Sequence, residues 1–564
     1  MSISGERTEL ATQMPSSLEI AQEAHLRPIA DIAAAAGLLP DEIEPYGRYK
    51  AKIDLSVLDR LAGRDDAKLI NVTAITPTKA GEGKTTTAVA LTQGLGYIGR
   101  NPVLCLREAS LGPVFGIKGG AAGAGYTQVV PMEDMNLHFT GDIHAIGAAN
   151  NLLAAMLEAS ILHGNPLHID ALSISWRRCL DINDRALRDI VVGLGGRANG
   201  YTRQTGFDIT AASEVMAIVA VASDLQDLRR RLGAITVART FEGEPVSAED
   251  LRAAGAMTVL LKDSIKPNLV QTLEGQPALV HCGPFANIAH GNNSLVADRV
   301  ALKLGDYVIT ESGFGSDMGM EKFFDIVCRA GGLRPSATVL VATVKALKHH
   351  GGDPDGGIEA MEAGIPNLAR HLGIIREFGI NPVVAVNRFP GDTDEEVGRL
   401  RELALEHGAF AAELNEGYSQ GGAGGAALAE AVVAAAEAPS SFDFIYPLEA
   451  PIADKIESIA QRVYGADGIY LLKTAKDKIA QWQGTPIEKL PICMAKTHLS
   501  LSHDVALTNA PTGFTVTVRD LRAYTGAGWI VALCGDMQTM PGYGRTPAAV
   551  NVDIDADGTT VGLF

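Results

Sequence analysis

Residues 68 to 97 constrain the fold more than any other stretch of this 564-residue chain. An apolar run from Lys68 to Ile75 leads into TPTKAGEGKTTT, residues 76 to 87, and then into a helical stretch from about Lys84 to Gly96. A buried strand, a glycine-rich turn and a helix in immediate succession make a phosphate loop. Gly81 and Gly83 free the backbone to turn N–H groups inward, Lys84 reaches the terminal phosphates, and the Thr85 hydroxyl is suited to Mg²⁺. The following helix presents its positive end to the anion. Thr78, Lys79, Ala80, Gly81, Glu82, Gly83, Lys84 and Thr85 are therefore the expected ATP contacts. Thr78 stands where the usual loop has its first glycine, and Lys79 approaches the variant with a second lysine, K-G-G-x-G-K-T.

The same alternation continues downstream. Pro102 to Leu106, Ala278 to Cys282, Tyr307 to Thr310, Ala337 to Ala342 and Pro382 to Val386 read as short buried strands, most followed by a helix. Strands alternating with helices predict an α/β protein: a P-loop NTPase-like parallel sheet flanked by helices. A chain this long exceeds one core, so further domains are expected. The first ~25 residues lack a pattern and read as a loosely docked arm. Gly357 to Gly379 predicts one amphipathic helix or a pair broken at Pro366. Thr393 and Glu396 are spaced as a capping box, and Ala426 to Ala438 predicts a helix opening after the glycine run.

Composition excludes several function classes. A net charge of −18 disfavours nucleic acid or an anionic membrane as partner. No signal-peptide core and no apolar stretch of membrane-span length stand out. Cysteines 105, 179, 282, 328, 493 and 534 form no C-x-x-C pair, so zinc and redox motifs are unsupported and a reducing, cytoplasmic setting is expected. Asn387-Arg-Phe-Pro sits where GTPases read guanine but lacks the Lys and Asp of that motif, so adenine is the expected base.

A second cluster, residues 105 to 142, is dense in glycine. Arg107 and Glu108 close a strand, the usual place for ligand contacts in an open α/β sheet. Lys118 falls within the glycine run, and His138 and Asp142 follow it. Taken with the phosphate loop, this stretch resembles the monofunctional formate–tetrahydrofolate ligases. So do NDRALRDIVVGLGG, GFDITAASEVMAI, GPFANIAHGNNS, ESGFGSDMGMEKF, VNRF and LCGDMQTMPG, in the family's order across roughly residues 70 to 550.

The resemblance implies three domains. A discontinuous nucleotide-binding domain would span 1–122 and 253–368, an inserted domain 123–252, and a C-terminal domain 369–564. It also implies a homotetramer and the reaction of ATP, formate and tetrahydrofolate to ADP, phosphate and 10-formyltetrahydrofolate; a monovalent cation is left open. Formate is a poor electrophile until phosphorylated, so formyl phosphate is the expected intermediate. Lys84 with Mg²⁺ would neutralise the transferring phosphoryl group. The planar fork of Arg107 suits formate and formyl phosphate. Glu108 would meet the pterin's donor edge, and His138 or Asp142 would take the proton lost from the amine. Phe314, Phe389 with Pro390, and Tyr418 match family positions lining the flat-ring sites of adenine or pterin.

Departures fall at residues 418–423, where the family usually reads WAKGGEGG and this chain has Tyr418-Ser-Gln-Gly-Gly-Ala-Gly-Gly, and at Asn292, where Cys is common. Two alternatives remain at this level: a nucleotide switch, and a folate-binding relative without ligase activity. ADP release that needs both formate and tetrahydrofolate separates the ligase from either. Tyr418→Ala is expected to weaken substrate binding by about 1–3 kcal/mol, the scale of base–aromatic stacking, and Tyr418→Trp to restore it. Equal KM values for ATP and tetrahydrofolate in all three proteins would leave the ring a packing role only.

Overall fold

Strands with no polar face must be covered on both sides. Tyr307–Glu311 and Pro382–Asn387 are buried throughout, and Lys68–Ala74 and Pro335–Ala342 are buried at all but one position each. In the computed structural model, which describes residues 14–78, 81–116, 120–285, 287–535 and 537–563, these strands form the centre of a 12-stranded sheet. Its strands are β1 (Ile43–Pro45), β2 (Ala51–Ile53), β3 (Lys68–Ala74), β4 (Pro102–Leu106), β5 (Gly123–Ala124), β6 (Thr127–Val130), β7 (Asn268–Thr272), β8 (Pro277–Val280), β9 (Tyr307–Glu311), β10 (Pro335–Ala342), β11 (Pro382–Asn387) and β12 (Ala411–Asn415). The order is β1-β2-β7-β8-β4-β9-β3-β10-β11-β12, with β6 pairing β7 and β5 pairing β6. From β8 to β12 every neighbour is parallel. β1, β2 and β7 extend the β8 side by antiparallel pairing. The expected parallel α/β sheet flanked by helices is present.

Side-chain alternation feeds two cores. Leu69, Val308, Leu340 and Val384 enter one cluster, and Ile70, Ile309, Val339 and Val383 enter another. Three helices from distant parts of the chain, α1 (Ser17–Glu23), α2 (Lys84–Tyr97) and α7 (Gly417–Glu437), all contribute to the second cluster. Between them come α3 (Asp142–Leu162), α4 (Val344–His350), α5 (Ile358–Glu377) and α6 (Asp394–Glu406). Helices α4 and α5 put Leu347, Leu368 and Leu372 into the first cluster. A third cluster joins α3 to the buried helix Glu214–Val221, and it reaches Trp529 and Val531 near the C-terminus.

The structure decides several local readings, some as expected and some not. The N-terminal arm is docked from Ser16: α1 has a capping box, and Leu18 and Ile20 are buried. Pro366 does not split α5, which runs as one helix through it. The capping box at Thr393 and Glu396 forms. Helix α7 opens before its glycine run rather than after it and breaks at Gly421 (φ 60°, ψ −140°). Helix α3, read past in the sequence, is long and apolar enough to cross a membrane by length and composition; its Ile146, Leu153 and Leu157 are packed in the third cluster. Strands β11 and β12 lie beyond residue 368 and still belong to the central sheet.

Glycine brings α2 and α7 together. A Cβ added to Gly94 would stand 2.5 Å from the Gly425 carbonyl oxygen and 2.7 Å from its carbon. Gly373 of α5 meets nothing within 4 Å. Gly94→Ala is therefore expected to destabilise by about 1–3 kcal/mol through overpacking. Gly373→Ala should stabilise by about 0.4–1 kcal/mol by restricting the unfolded chain. Urea unfolding midpoints that move in the same direction for both variants would contradict this packing.

Candidate functional site

In a parallel sheet every strand delivers its next residue to one edge, where ligands of open α/β sheets bind. The loop of residues 75 to 83 follows β3, Arg107 and Glu108 follow β4, Glu311 closes β9, Thr343 follows β10, Asn387 closes β11, and Tyr418 lies three residues past β12. Residues dispersed over more than 300 positions thus meet at one edge.

Glu311 is the hinge of this constellation, and the sequence reading passed over it. Strand β9 lies between β3 and β4, so Glu311 faces the loops after both. The Thr85 hydroxyl donates to its Oε2 at 2.6 Å, and Arg107 Nη2 lies 3.4 Å from its Oε1. Burial pushes the Lys84 ammonium below the ordinary lysine range, opposed by the charges of Glu311 and Glu82 and reinforced by Arg107. Lys84, Thr85, Arg107 and Glu311 therefore share one charged cleft of two cations and one buried carboxylate. A strand-final acid, Glu311 at the end of the apolar Tyr307 run, was the available signal.

The loop is held from beneath. Glu82 turns inward: its Oε1 accepts from Thr78 N and Oγ1 at 2.8 and 3.0 Å, and its Oε2 accepts from Thr343 Oγ1 at 3.0 Å. Asn387 Nδ2 donates to the Glu82 carbonyl at 2.8 Å, while its Oδ1 accepts from Thr87 Oγ1 and Asn415 Nδ2. Asn387 thereby shapes the glycine-rich turn, with its amide engaged inside the protein. Gly83 caps α2 at φ 74°, and a Cβ there would stand 2.9 Å from Asn387 Nδ2. Gly81 likewise has positive φ. Lys79 and Ala80, expected to contact ATP, and Lys118 of the glycine run lie outside the described residues.

The rings occupy separate loops. Phe314 follows β9, has φ 60°, and packs against His498 with ring centroids 4.4 Å apart. Left-handed backbone at an aromatic residue costs about 1–3 kcal/mol and marks a loop held by its surroundings. Phe389 is partly buried with its N–H donated to Asp392 at 2.8 Å, and Pro390 is exposed. Tyr418 is half exposed, and its carbonyl accepts from Tyr126 N at 2.9 Å beside Gly125. The ring thus stands against the end of the glycine-rich run.

On the other side of Glu108 opens a cavity of about 380 Å³, lined by Glu108, His138, Asp142, Cys179, Asp181 and Thr210 among others. His138 is exposed at its rim. Asp142 is fully engaged within the protein. Lys52 Nζ sits 2.9 Å from each of its oxygens, with Asn268 Nδ2 at 2.8 Å and Thr140 Oγ1 at 3.2 Å from Oδ2. Glu108 differs: its Oε2 is buried without a hydrogen-bond partner. Burial, then the Asp142 charge, holds its carboxyl well above the usual range. Asp181 accepts from Ser110 Oγ and Leu111 N at 2.6 and 3.0 Å, yet burial raises it to about 6. Neither Lys52 nor Asp181 was among the expected site residues, since neither adjoins a glycine loop.

The family model described as formate–tetrahydrofolate ligase matches residues 15–564. The chain is 57% identical to the formate–tetrahydrofolate ligase of Desulforamulus reducens, 55% to that of Roseiflexus sp. and 54% to that of Cutibacterium acnes. Each comparison covers 98% of this chain and 100% of the relative.

The Lys52–Asp142 pair is buried, so removing one partner strands a charge. Lys52→Met is expected to cost about 3–5 kcal/mol, and adding Asp142→Asn to recover part of that. Urea unfolding of the single variant at the wild-type midpoint would mean the pair contributes nothing.

Proposed function

The chain belongs to the formate–tetrahydrofolate ligase family, and on that premise we propose that it joins formate to tetrahydrofolate at the expense of ATP by way of formyl phosphate. The observation that carries the reading is the convergence of Lys84, Thr85, Glu311 and Arg107 on adjacent carboxyl ends of β3, β9 and β4. One anion must be brought to another in the first step, and a cleft with a lysine and an arginine opposes that repulsion.

Residues 78 to 85 hold the nucleotide phosphates in this reading. The donors at Thr85 and Glu311, a hydroxyl and a carboxylate, are hard oxygen ligands of the kind Mg²⁺ takes together with phosphates and water. Such an ion would draw charge from the phosphoryl oxygens. Arg107 orients formate so that one of its oxygens attacks the γ-phosphorus and ADP departs. The amine of tetrahydrofolate then attacks the formyl carbon, phosphate leaves with the formate oxygen, and the amine proton is lost to a base at the cavity rim, where His138 is exposed. Glu108, whose carboxyl is held well above the usual range by burial and by the Asp142 charge, meets the pterin's donor edge. Phe314, Phe389, Pro390 and Tyr418 are the stacking surfaces. Six free, buried cysteines support a reducing compartment, and the family resemblance alone supports a homotetramer.

With ¹⁸O-labelled formate, each phosphate released is expected to carry one labelled oxygen. Unlabelled phosphate at full coupling would rule out the acyl phosphate route. Lys84→Ala is expected to nearly abolish turnover. Arg107→Ala should lower labelled transfer by about 10²–10³-fold, the scale of a lost electrostatic contact, while ATP affinity stays near wild type. A collapse of ATP affinity with otherwise normal transfer would reassign Arg107 to the nucleotide.

A further inference from the structure

Behind the phosphate loop lies a buried histidine that none of the steps above uses. His371 is on α5, one turn after Asn367, so both side chains leave the helix on the same face. Both reach Thr76, the residue where β3 hands over to the loop. Asn367 Nδ2 donates to Thr76 Oγ1 at 2.9 Å, and Asn367 Oδ1 accepts from Thr76 N at 3.3 Å. His371 Nε2 is 2.9 Å from the same Thr76 Oγ1. Its other nitrogen, Nδ1, is 2.7 Å from Ser316 Oγ. Ser316 lies two residues past Phe314, and a Cβ on the intervening Gly315 would stand 3.1 Å from His371 Cε1. The ring is therefore wedged between two loops, with one nitrogen committed to each.

We propose that His371 is a positioning residue that joins the phosphate loop to the Phe314 loop, so that the nucleotide and folate ends of the site are set in register with each other. The inference rests on the reading of those loops as substrate contacts and takes the Phe314 ring as a surface for the pterin. Three further observations support it. Burial lowers His371 to about 4, so its ring is neutral at neutral pH and either tautomer satisfies both hydroxyls, one nitrogen donating and the other accepting. Thr76 is clamped on its remaining side, since His350 Nε2 lies 2.8 Å from its carbonyl. The far side of the Phe314 loop is also anchored, by the buried Lys496–Asp317 pair at 2.7 Å and by the packing of Phe314 on His498. With both loops fixed at their outer ends, the imidazole links them on the α5 side, apart from the Thr85–Glu311 hydrogen bond. Group transfer between two bound substrates is sensitive to placement, and a misplacement of about 1 Å costs about 10²-fold in rate.

The test uses the full chain and three conservative variants. Asn at 371 keeps an amide near the Nδ1 position and so retains the Ser316 side; Gln keeps one near Nε2 and retains the Thr76 side. Ser316→Ala removes one hydroxyl only. The readout is the ratio of tetrahydrofolate dissociation constants with and without a saturating, non-hydrolysable ATP analogue. Wild type is expected to bind tetrahydrofolate at least about fivefold tighter with the analogue. His371→Asn, His371→Gln and Ser316→Ala should each bring that ratio to near one, with kcat down by at least about tenfold and both KM values within about twofold, because a bridge broken at either end transmits nothing. A wild-type ratio of one overturns the proposal, as do wild-type ratios in the variants. Loss in only one histidine variant would make His371 an anchor for a single loop and overturn the bridge. Lys84→Ala separates the two readings: if it leaves turnover intact, the assignment of the phosphate loop fails. If it abolishes turnover while the His371 and Ser316 variants behave as wild type, only the bridge fails.

Discussion

The site depends on one strand placement. Strand β9 enters between β3 and β4, although both precede it in the chain by some 200 residues. Parallel register aligns Thr310 with Cys105 and with Asn71. The three strands therefore end almost level, and Glu311 is delivered between the phosphate loop and Arg107. Had β9 paired at the outer edge of the sheet, Arg107 and Thr85 would be neighbours without a shared carboxylate. Burial of both sheet faces makes this pairing hard to slip, since a one-residue shift would send each strand's side chains to the opposite core.

Charge is managed locally against an overall excess of acid. The chain carries −18, yet the cleft after β3 and β4 presents Lys84 and Arg107 with Glu311 between them. Burial weakens the lysine's hold on its proton, and the nearby carboxylates strengthen it. On the cavity side the arrangement is inverted. Asp142 is satisfied by Lys52 and its anion disfavours a second one at Glu108, so the two acids differ in what they can do despite facing the same space. The same logic keeps His371 neutral: a buried ring between two hydroxyls gains nothing from a charge.

Much of the scaffold was legible in the chain. The strands at Lys68, Pro102, Tyr307, Ala337 and Pro382 form close to where their apolar runs stand, because short buried strands bounded by glycine or proline have few other solutions. The helix starts at Lys84, where the left-handed backbone of its N-cap Gly83 turns the chain into it. Legibility failed where tertiary packing overrode local preference. A glycine run that reads as loop becomes the first turns of α7, since its small residues let α7 lie directly on α2. Between the two readings left open at Pro366, packing of the α5 apolar face on the first core gives the single helix. The N-terminal arm docks through two apolar side chains too few to show as a pattern.

The sequence by itself determined the α/β class, the glycine-rich strand-to-helix turn that ends in Lys84 and Thr85, the strand-final Arg107 and Glu108, and the family likeness. Each of these is written in contiguous residues whose spacing matches a local geometry. Only the tertiary structure decided that Glu311 stands between Thr85 and Arg107, that Lys52 neutralises Asp142, that Asn387 braces the loop, and that His371 links Thr76 to Ser316. Those contacts join positions 55 to 305 residues apart, and their existence depends on strand order and helix docking, which no local spacing encodes.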